Sequence, residues 1–310
     1  AVYTRKYWTT DARNLSTDWI GSRVYQPSED DVRQGFHGPL AKRTHYITKV
    51  RYPKRGGYQS FGRGLAAGAN IELGAEVVDV DLAAREVRCA NGTVLRYERL
   101  ISTIPLPMFV PRCRQATPDA LAAAERLSCS QLLLVNVEVP HTARRPENWL
   151  YVYDEDKYST RISFTEKLTS GNAPRGRSGI QVEVYGSRHR PFPHHSTIIA
   201  ARVVEELYEM QLIDRQVAPE TLRYSVTPIE SANVIFDHET RPALDRIFHW
   251  LACHGLEREA DDLSPTTDWS LFAGEAVGRV ALAGRFGQWK YAWSDDCVLR
   301  GRDLARRVSR

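Results

Sequence analysis

The sequence has little cysteine and no pattern in it. Cys89, Cys113, Cys129, Cys253 and Cys297 are an odd number, widely spaced, with no C-x-x-C and no Cys/His ligand spacing, which argues against a disulfide framework or a zinc site. The pair His194-His195, with His189 nearby, lacks an acidic or thiolate partner at helical spacing and reads as a solvated loop, so no metal is expected. No stretch approaches the ~18 consecutive apolar residues of a membrane span. No basic stretch followed by a short apolar one marks a secretory signal, and the expected compartment is the cytoplasm. Charge of one sign is not concentrated either. Lys and Arg number 42 against 38 Asp and Glu, and the net +4 is spread along the chain, which gives no case for nucleic acid. The late arginines Arg300, Arg302, Arg306, Arg307 and Arg310 suit the dipole at a helix C-terminus. Internal repeats and low-complexity tracts are absent. Also missing is a strand, G-x-G-x-x-G turn and helix, the arrangement that cradles a dinucleotide pyrophosphate. Its nearest approach, Gly62-Arg63-Gly64-Leu65-Ala66-Ala67-Gly68, has the wrong last spacing and follows no strand.

What is present suffices for a globular protein, since 42% of the 310 residues are hydrophobic, enough to bury a core. The chain opens on Ala1 within an aromatic-rich segment, Val2 to Trp8, and the expectation is a fragment or a processed chain. Residues 1–45 mix Tyr3, Tyr7, Trp8, Trp19, Tyr25 and Phe36 with turn residues and read as short helices and loops. Tyr52-Pro53-Lys54-Arg55-Gly56-Gly57-Tyr58 is turn chemistry, followed by a short helix from Gln59 to Ala69. From Ile71-Glu72-Leu73 the period becomes two. Strands are expected at Glu76 to Val80, at Glu86 to Cys89 and at Val94 to Tyr97, with a hairpin turn at Asn91-Gly92. Arg99 to Pro105 reads as an apolar strand, Pro118 to Leu127 as a helix and Gln131 to Val139 as a buried strand. Further strands are expected at Trp149 to Tyr153, Arg161 to Thr165 and Ile180 to Tyr185. Amphipathic helices follow over 196–213 and around Leu244 to Leu251. Strands followed by such helices suggest an α+β insert inside an α/β protein.

The stretch from Ala281 to Arg302 is the most informative. An apolar strand, Val280 to Ala283, ends at Gly284 and passes through an aromatic loop. It then enters a helix that begins at Ser294-Asp295-Asp296, residues suited to an N-cap. That order puts backbone N–H groups and the positive end of a helix dipole at the carboxyl end of a strand, where an electron-rich ligand group can sit.

Gly284-Arg285-Phe286-Gly287-Gln288-Trp289-Lys290-Tyr291, with Trp293-Ser294-Asp295-Asp296 and Gly301-Arg302, resembles the C-terminal flavin-binding signature of the flavin amine oxidase and protoporphyrinogen oxidase family, to which UDP-galactopyranose mutases are related. The block Tyr52 to Tyr58, then Gly74-Ala75-Glu76-Val77, Gly92-Thr93 and Leu100 to Pro105, is similar to the middle of the same family. The block Asn233 to His238, with Arg241 to Leu244 and Ile247, Trp250 and Leu251, resembles the segment before the signature. The resemblance implies an α/β protein with an α+β insert. A partial FAD-binding domain, Rossmann-like and of amine-oxidase type, would accompany a substrate domain built on a mostly antiparallel sheet with flanking helices. It divides the chain into a helical part of the substrate domain (1–45), the middle of the FAD domain (46–105), the substrate domain (106–275) and a C-terminal FAD-binding segment (276–310). Relative to the family the N-terminal G-x-G-x-x-G segment is missing. That segment, or a second copy of the chain, is an expected partner.

FAD is the implied cofactor. The residues implied to meet it are Gly56, Gly57, Tyr58, Val77, Gly284, Arg285, Trp289, Tyr291, Asp295, Asp296 and Cys297, and those implied to meet a small-molecule substrate are Tyr151, Arg161, Tyr185 and Trp293. No catalytic residue is assigned, and Asp237-His238 reads as structural. The implied activity is hydride transfer from an organic substrate to flavin. Two alternatives stand beside it. One is a flavin-dependent mutase of a nucleotide sugar, whose mark would be convergence of arginines and tyrosines such as Arg161, Arg175, Arg177, Tyr151, Tyr153, Tyr158 and Tyr185 on a diphosphate. The other is a catalytically silent partial domain.

Overall fold

Alternating apolar and polar residues towards Val139 mark an inner strand of the largest sheet. The computed structural model of the protein describes residues 2–17, 19–20, 27–38, 51–258 and 279–308, so Tyr25 and Arg310 lie outside the described residues. The chain folds as two units. Unit 1 comprises residues 1–15, 51–73 and 128–235, and unit 2 comprises 16–50, 74–127 and 236–310. The chain thus passes between units after residues 15, 50, 73, 127 and 235, at points other than the expected 45, 105 and 275.

Unit 1 contains helices α1 (Val2–Trp8) and α3 (Gln59–Ala66), then β5 (Ser128–Val139), β6 (Trp149–Tyr151), β7 (Arg161–Phe164), α6 (Thr165–Leu168), β8 (Ser178–Gly186), α7 (Ser196–Glu209) and β9 (Arg223–Ile235). The strands form one sheet in the order β6-β7-β8-β5-β9, antiparallel at every pair. Side chains alternate between its faces. Leu133, Val135, Val137 and Val139 of β5 and Ile180, Val182 and Val184 of β8 point to one face, where Ile199, Val203 and Leu207 of α7 cover them in a fully buried cluster. The opposite face is polar where the same strands carry Asn136, Glu138, Gln181 and Glu183, with Arg161 beside Glu183 on β7.

Unit 2 contains α2 (Glu29–His37), β1 (Val77–Asp81), β2 (Glu86–Cys89), β3 (Val94–Arg96), β4 (Leu100–Ser102), α4 (Leu106–Phe109), α5 (Pro118–Arg126), α8 (Thr240–Ala252), β10 (Leu256–Glu257), β11 (Val280–Leu282), α9 (Gly284–Gly287) and α10 (Ser294–Val308). Strands β1, β2 and β3 form an antiparallel meander whose expected turn is made by Asn91-Gly92, with Gly92 at φ +86°. Strands β10, β11 and β4 are parallel, in that order. Helix α5 starts where Thr117 accepts a hydrogen bond from Ala120 N and Pro118 supplies the first turn.

Three expectations change. Ile71-Glu72-Leu73 is not a strand, and Ile71 and Leu73 are exposed in a turn, because alternation over three residues offers no partner to pair with. The segment after 213, to which the sequence reading assigns no element, contains β9, whose Pro228 and exposed polar residues hide a strand in the sequence. It lies at the sheet edge, where proline's missing N–H faces no neighbour. The aromatic loop after Gly284 begins as the short helix α9.

Candidate functional site

In unit 1, helix α1 lays Tyr3 and Tyr7, four residues apart and therefore on one face, against the polar side of the sheet. Their rings stack at 5.8 Å. Tyr3 meets Tyr151 at 5.2 Å and Tyr153 at 5.1 Å, and Tyr7 meets Tyr185 at 4.8 Å. Beneath them the Tyr185 hydroxyl donates to Glu183 at 2.8 Å, and Arg161 pairs with the other Glu183 oxygen. Asn233 donates to the Tyr7 hydroxyl at 3.2 Å. Burial, together with Tyr151 and Tyr7, raises the Tyr3 phenol above its ordinary range. Burial, with Tyr7 and Glu183, does the same to Tyr185. For Arg161 burial opposes the charge and Glu183 outweighs it, so the guanidinium stays cationic. The pair is charge-neutral as a unit, and the Tyr3 hydroxyl and Arg161 Nε are buried without a hydrogen-bond partner among the described residues.

Helix α1 is held in place from below. The Lys6 ammonium donates to the Asp154 carbonyl at 2.7 Å and the Ser159 carbonyl at 2.8 Å. Glu206 on α7 accepts from the N–H groups of Tyr158 and Ser159 and from the Ser159 hydroxyl. Burial lowers the Lys6 ammonium to about 8, with Glu206 opposing the shift.

The turn Gly56-Gly57-Tyr58, also in unit 1, takes left-handed backbone at both glycines, φ +80° and +63°. It is fastened to the loop after α6. Asn172 donates to the Tyr52 hydroxyl at 3.3 Å, Thr169 donates to the Lys54 carbonyl at 3.0 Å, and a Cβ at Gly171 would lie 2.9 Å from that carbonyl. Only glycine permits that approach.

In unit 2 the parallel strand β11 is followed by Ala283, whose N–H donates to Ser102 O at 2.9 Å, and Gly284 turns the chain at φ +74°. Gly287 packs on the end of β4, where an added Cβ would lie 2.7 Å from Ser102 O. The loop then knots on itself. Gln288 Nε2 donates to Leu282 O at 3.0 Å and Arg285 Nε to Ala292 O at 2.7 Å, and the Arg285 guanidinium lies 5.2 Å over the Tyr291 ring. Tyr291 in turn meets Trp19 edge-on at 4.9 Å. Trp289 is fully buried in left-handed backbone, φ +53°, an uncommon state for a bulky residue, and its indole N–H has no partner. The Ser102 hydroxyl is likewise buried and unpartnered. Helix α10 begins at Ser294, so Trp293 rather than Ser294 flanks it, and Asp296 accepts from Trp293 N at 2.8 Å. Cys297 sits in this first turn with its thiol raised by burial, partly offset by Arg285.

These residues fit a flavin. A strand-end glycine without Cβ leads towards the first turn of a fifteen-residue helix, and two buried polar side-chain atoms, Ser102 Oγ and Trp289 Nε1, have no hydrogen-bond partner among the described residues.

Residues 11–309 match the family model described as flavin containing amine oxidoreductase. The chain belongs to that family. The chain is also similar to solved structures. One is a reduced UDP-galactopyranose mutase, with TM-score 0.78 and 17% identity, covering 99% of this chain and 62% of the other. Another is a putative protoporphyrinogen oxidase from Exiguobacterium sp. 255-15, with TM-score 0.56 and 13% identity, covering 82% of this chain and 51% of the other. At these identities the likeness speaks for the fold. The chain spans less than two thirds of either structure's length. No curated protein matches it.

Of the residues named from the sequence, Tyr151, Arg161 and Tyr185 come together in unit 1, and Tyr153 joins them. Trp293 belongs to unit 2. Arg177 instead pairs with Glu138 at 2.6 Å, and Tyr158 packs on the cluster beneath α7. Gly284, Arg285, Trp289, Tyr291, Asp295, Asp296 and Cys297 share the loop between β11 and α10 and its first turn, and Val77 opens β1 in the same unit. Just before α8, Asp237 accepts from the Thr240 hydroxyl at 2.8 Å and its N–H donates to Thr240 Oγ1 at 3.1 Å. His195 caps α7, and no metal-ligand cluster occurs among the described residues. No described helix is long and apolar enough to cross a membrane. Tyr3, Tyr7 and Glu183 escaped the sequence reading. The signals were there: two tyrosines at helical spacing, and one carboxylate inside an apolar strand.

Proposed function

We propose that the chain is the substrate-binding and flavin-facing part of an FAD-dependent oxidoreductase that takes a hydride from an organic substrate. The match of residues 11–309 to the flavin containing amine oxidoreductase family carries this reading. FAD, when bound, supplies the hydride acceptor. The chain's own contribution is positional. The Gly284 backbone and the first-turn N–H groups of α10 favour electron density at the strand end, and the Gly56-Gly57 turn permits close approach of a planar ring. The tyrosines of unit 1 provide a wall for an uncharged or aromatic substrate, since Arg161 already has its charge balanced by Glu183.

The test is the visible spectrum of the chain after mixing with FAD and removing unbound cofactor, alone and with a supplied G-x-G-x-x-G segment. A retained flavin band, bleached anaerobically by a substrate amine, is the expected result. Absence of the band in both preparations sinks the proposal and favours a silent partial domain.

A second reading, a mutase of a nucleotide sugar, is favoured by the convergence of Arg161 with Tyr3, Tyr7, Tyr151, Tyr153 and Tyr185. It requires a diphosphate to displace Glu183 from Arg161, and this ranks it second. Calorimetric binding of uridine diphosphate that is lost in Arg161→Gln would reverse the ranking.

A further inference from the structure

On the polar face of the unit 1 sheet one cation has no counter-ion. Register sets Glu138 of β5 directly opposite Arg223 of β9, the cross-strand arrangement in which opposite charges ordinarily pair. Glu138 pairs instead with Arg177, at 2.6 Å, which immediately precedes β8. Arg223 is exposed and forms no ion pair among the described residues. Both Glu138 and Arg223 line a cavity of about 520 Å³ at this end of β8, β5 and β9. With Glu138 balanced by Arg177, the charge left over in the wall is the positive one on Arg223.

Further donors stand beside it. Asn136 and Ser225 are opposite one another two residues along the same face. Gln181 donates to Asn136 Oδ1 at 2.9 Å, which commits that oxygen and leaves the amide N–H groups for the cavity, and the Ser225 hydroxyl adds another donor. The remaining wall is fixed within the protein. Thr165 donates to Gly179 O at 3.0 Å, Ser178 to Glu166 at 2.6 Å and Asn172 to Thr165 O at 2.9 Å, so the loop after β7 is fastened to the strands before any ligand arrives. Ala173 and Pro174 of that loop add apolar surface to the lining.

We propose that this cavity binds the carboxylate of a small organic monoacid. A planar carboxylate accepts two parallel bonds from a guanidinium fork, and its remaining lone pairs suit an amide N–H and a hydroxyl. One negative charge neutralises Arg223. A second, as on a phosphate, would meet the Glu138 carboxylate with no cation left to balance it. A neutral ligand would strip water from the guanidinium and the amide without an acceptor of equal strength. The apolar part of the lining suits a short hydrocarbon body on the acid, and the volume falls within the range of small-molecule sites. None of these residues is assigned to FAD or to the tyrosine cluster, so the acid site does not depend on the flavin chemistry above.

The experiment is saturation-transfer NMR of the full chain without FAD, titrating phenylacetate and isovalerate and, as neutral isosteres, their amides. At least one acid is expected to bind at least about tenfold more tightly than its amide, as loss of a charge-assisted pair requires. Arg223→Gln should weaken that acid about tenfold, and Arg223→Lys should weaken it less, because an ammonium keeps the charge and loses the fork. Asn136→Asp should abolish binding, since it meets the acid with a like charge while still accepting from Gln181. Arg202→Gln, on α7, removes a cation elsewhere and should leave the affinity unchanged. Thermal melts establish that each variant is folded. No binding of either acid, equal affinity for acid and amide, affinity retained in folded Arg223→Gln and Asn136→Asp, or displacement of the acid by equimolar inorganic phosphate overturns the inference.

Discussion

Single residues carry the most constrained chemistry of the chain. Gly287 is one: the β4 carbonyl of Ser102 occupies the place a side chain would need. Gly287→Ala should cost about 1–3 kcal/mol of stability through overpacking against backbone that has no room to yield. Urea denaturation measures it, and a cost near zero would mean that α9 is free to shift. Trp289 combines left-handed backbone with a buried, unpartnered indole N–H, two unfavourable terms at a position the family signature includes. Lys6 gives a prediction with a sign. Its ammonium titrates at about 8 in the folded state, below the ordinary lysine value of 10.5. Between those values the unfolded chain binds more protons, so the lysine's contribution to stability rises with pH across that window and is flat below it. Wild type should therefore gain stability relative to Lys6→Met from pH 8 to 10.5 in denaturation series. A constant difference would show that the ammonium is hydrated in the folded protein. Such residues were only half legible in the sequence: Gly287 and Trp289 stood out by motif, but Lys6 looked like any surface lysine, because its carbonyl partners lie some 150 positions away.

Elements repeat this division. Helix α5 was readable because its signals are local: Thr117 caps it, Pro118 opens it and alanines at helical spacing are buried. Thr117→Ala should remove about 1 kcal/mol, lowering the denaturant midpoint without changing the slope. A changed slope would point to loss of structure beyond the cap. The hairpin at Asn91-Gly92 and the long strand β5 were legible for the same reason, that backbone preference and alternation act over a few residues. Strand β9 was not, since a partner strand about a hundred residues earlier supplies its hydrogen bonds and its own composition resembles a loop. Helix α1 was expected as a short helix, yet its role in presenting Tyr3 and Tyr7 to Tyr151 and Tyr185 comes from long-range packing.

For the whole molecule the decisive test is linkage. A cofactor that binds only the folded state stabilises it by about 2.7 kcal/mol at a hundredfold excess over its dissociation constant. The chain supplied with a G-x-G-x-x-G segment should therefore melt higher as FAD is added, and Gly284→Val, which places a β-branched residue at φ +74°, should lose that shift. An equal shift in both would place the flavin elsewhere. The sequence by itself determined the family, the mixed class with a mostly antiparallel sheet and the glycine-bounded loop before α10, because motif order, alternation and turn chemistry are properties of neighbouring residues. Tertiary structure alone decided that residues 51–73 belong with 128–235 and 74–127 with 236–310. It also decided that Glu183 balances Arg161, and that Asn136 and Glu138 share a cavity wall. Those outcomes depend on strand register and on burial between distant segments, where one slipped residue would turn every side chain to the other face.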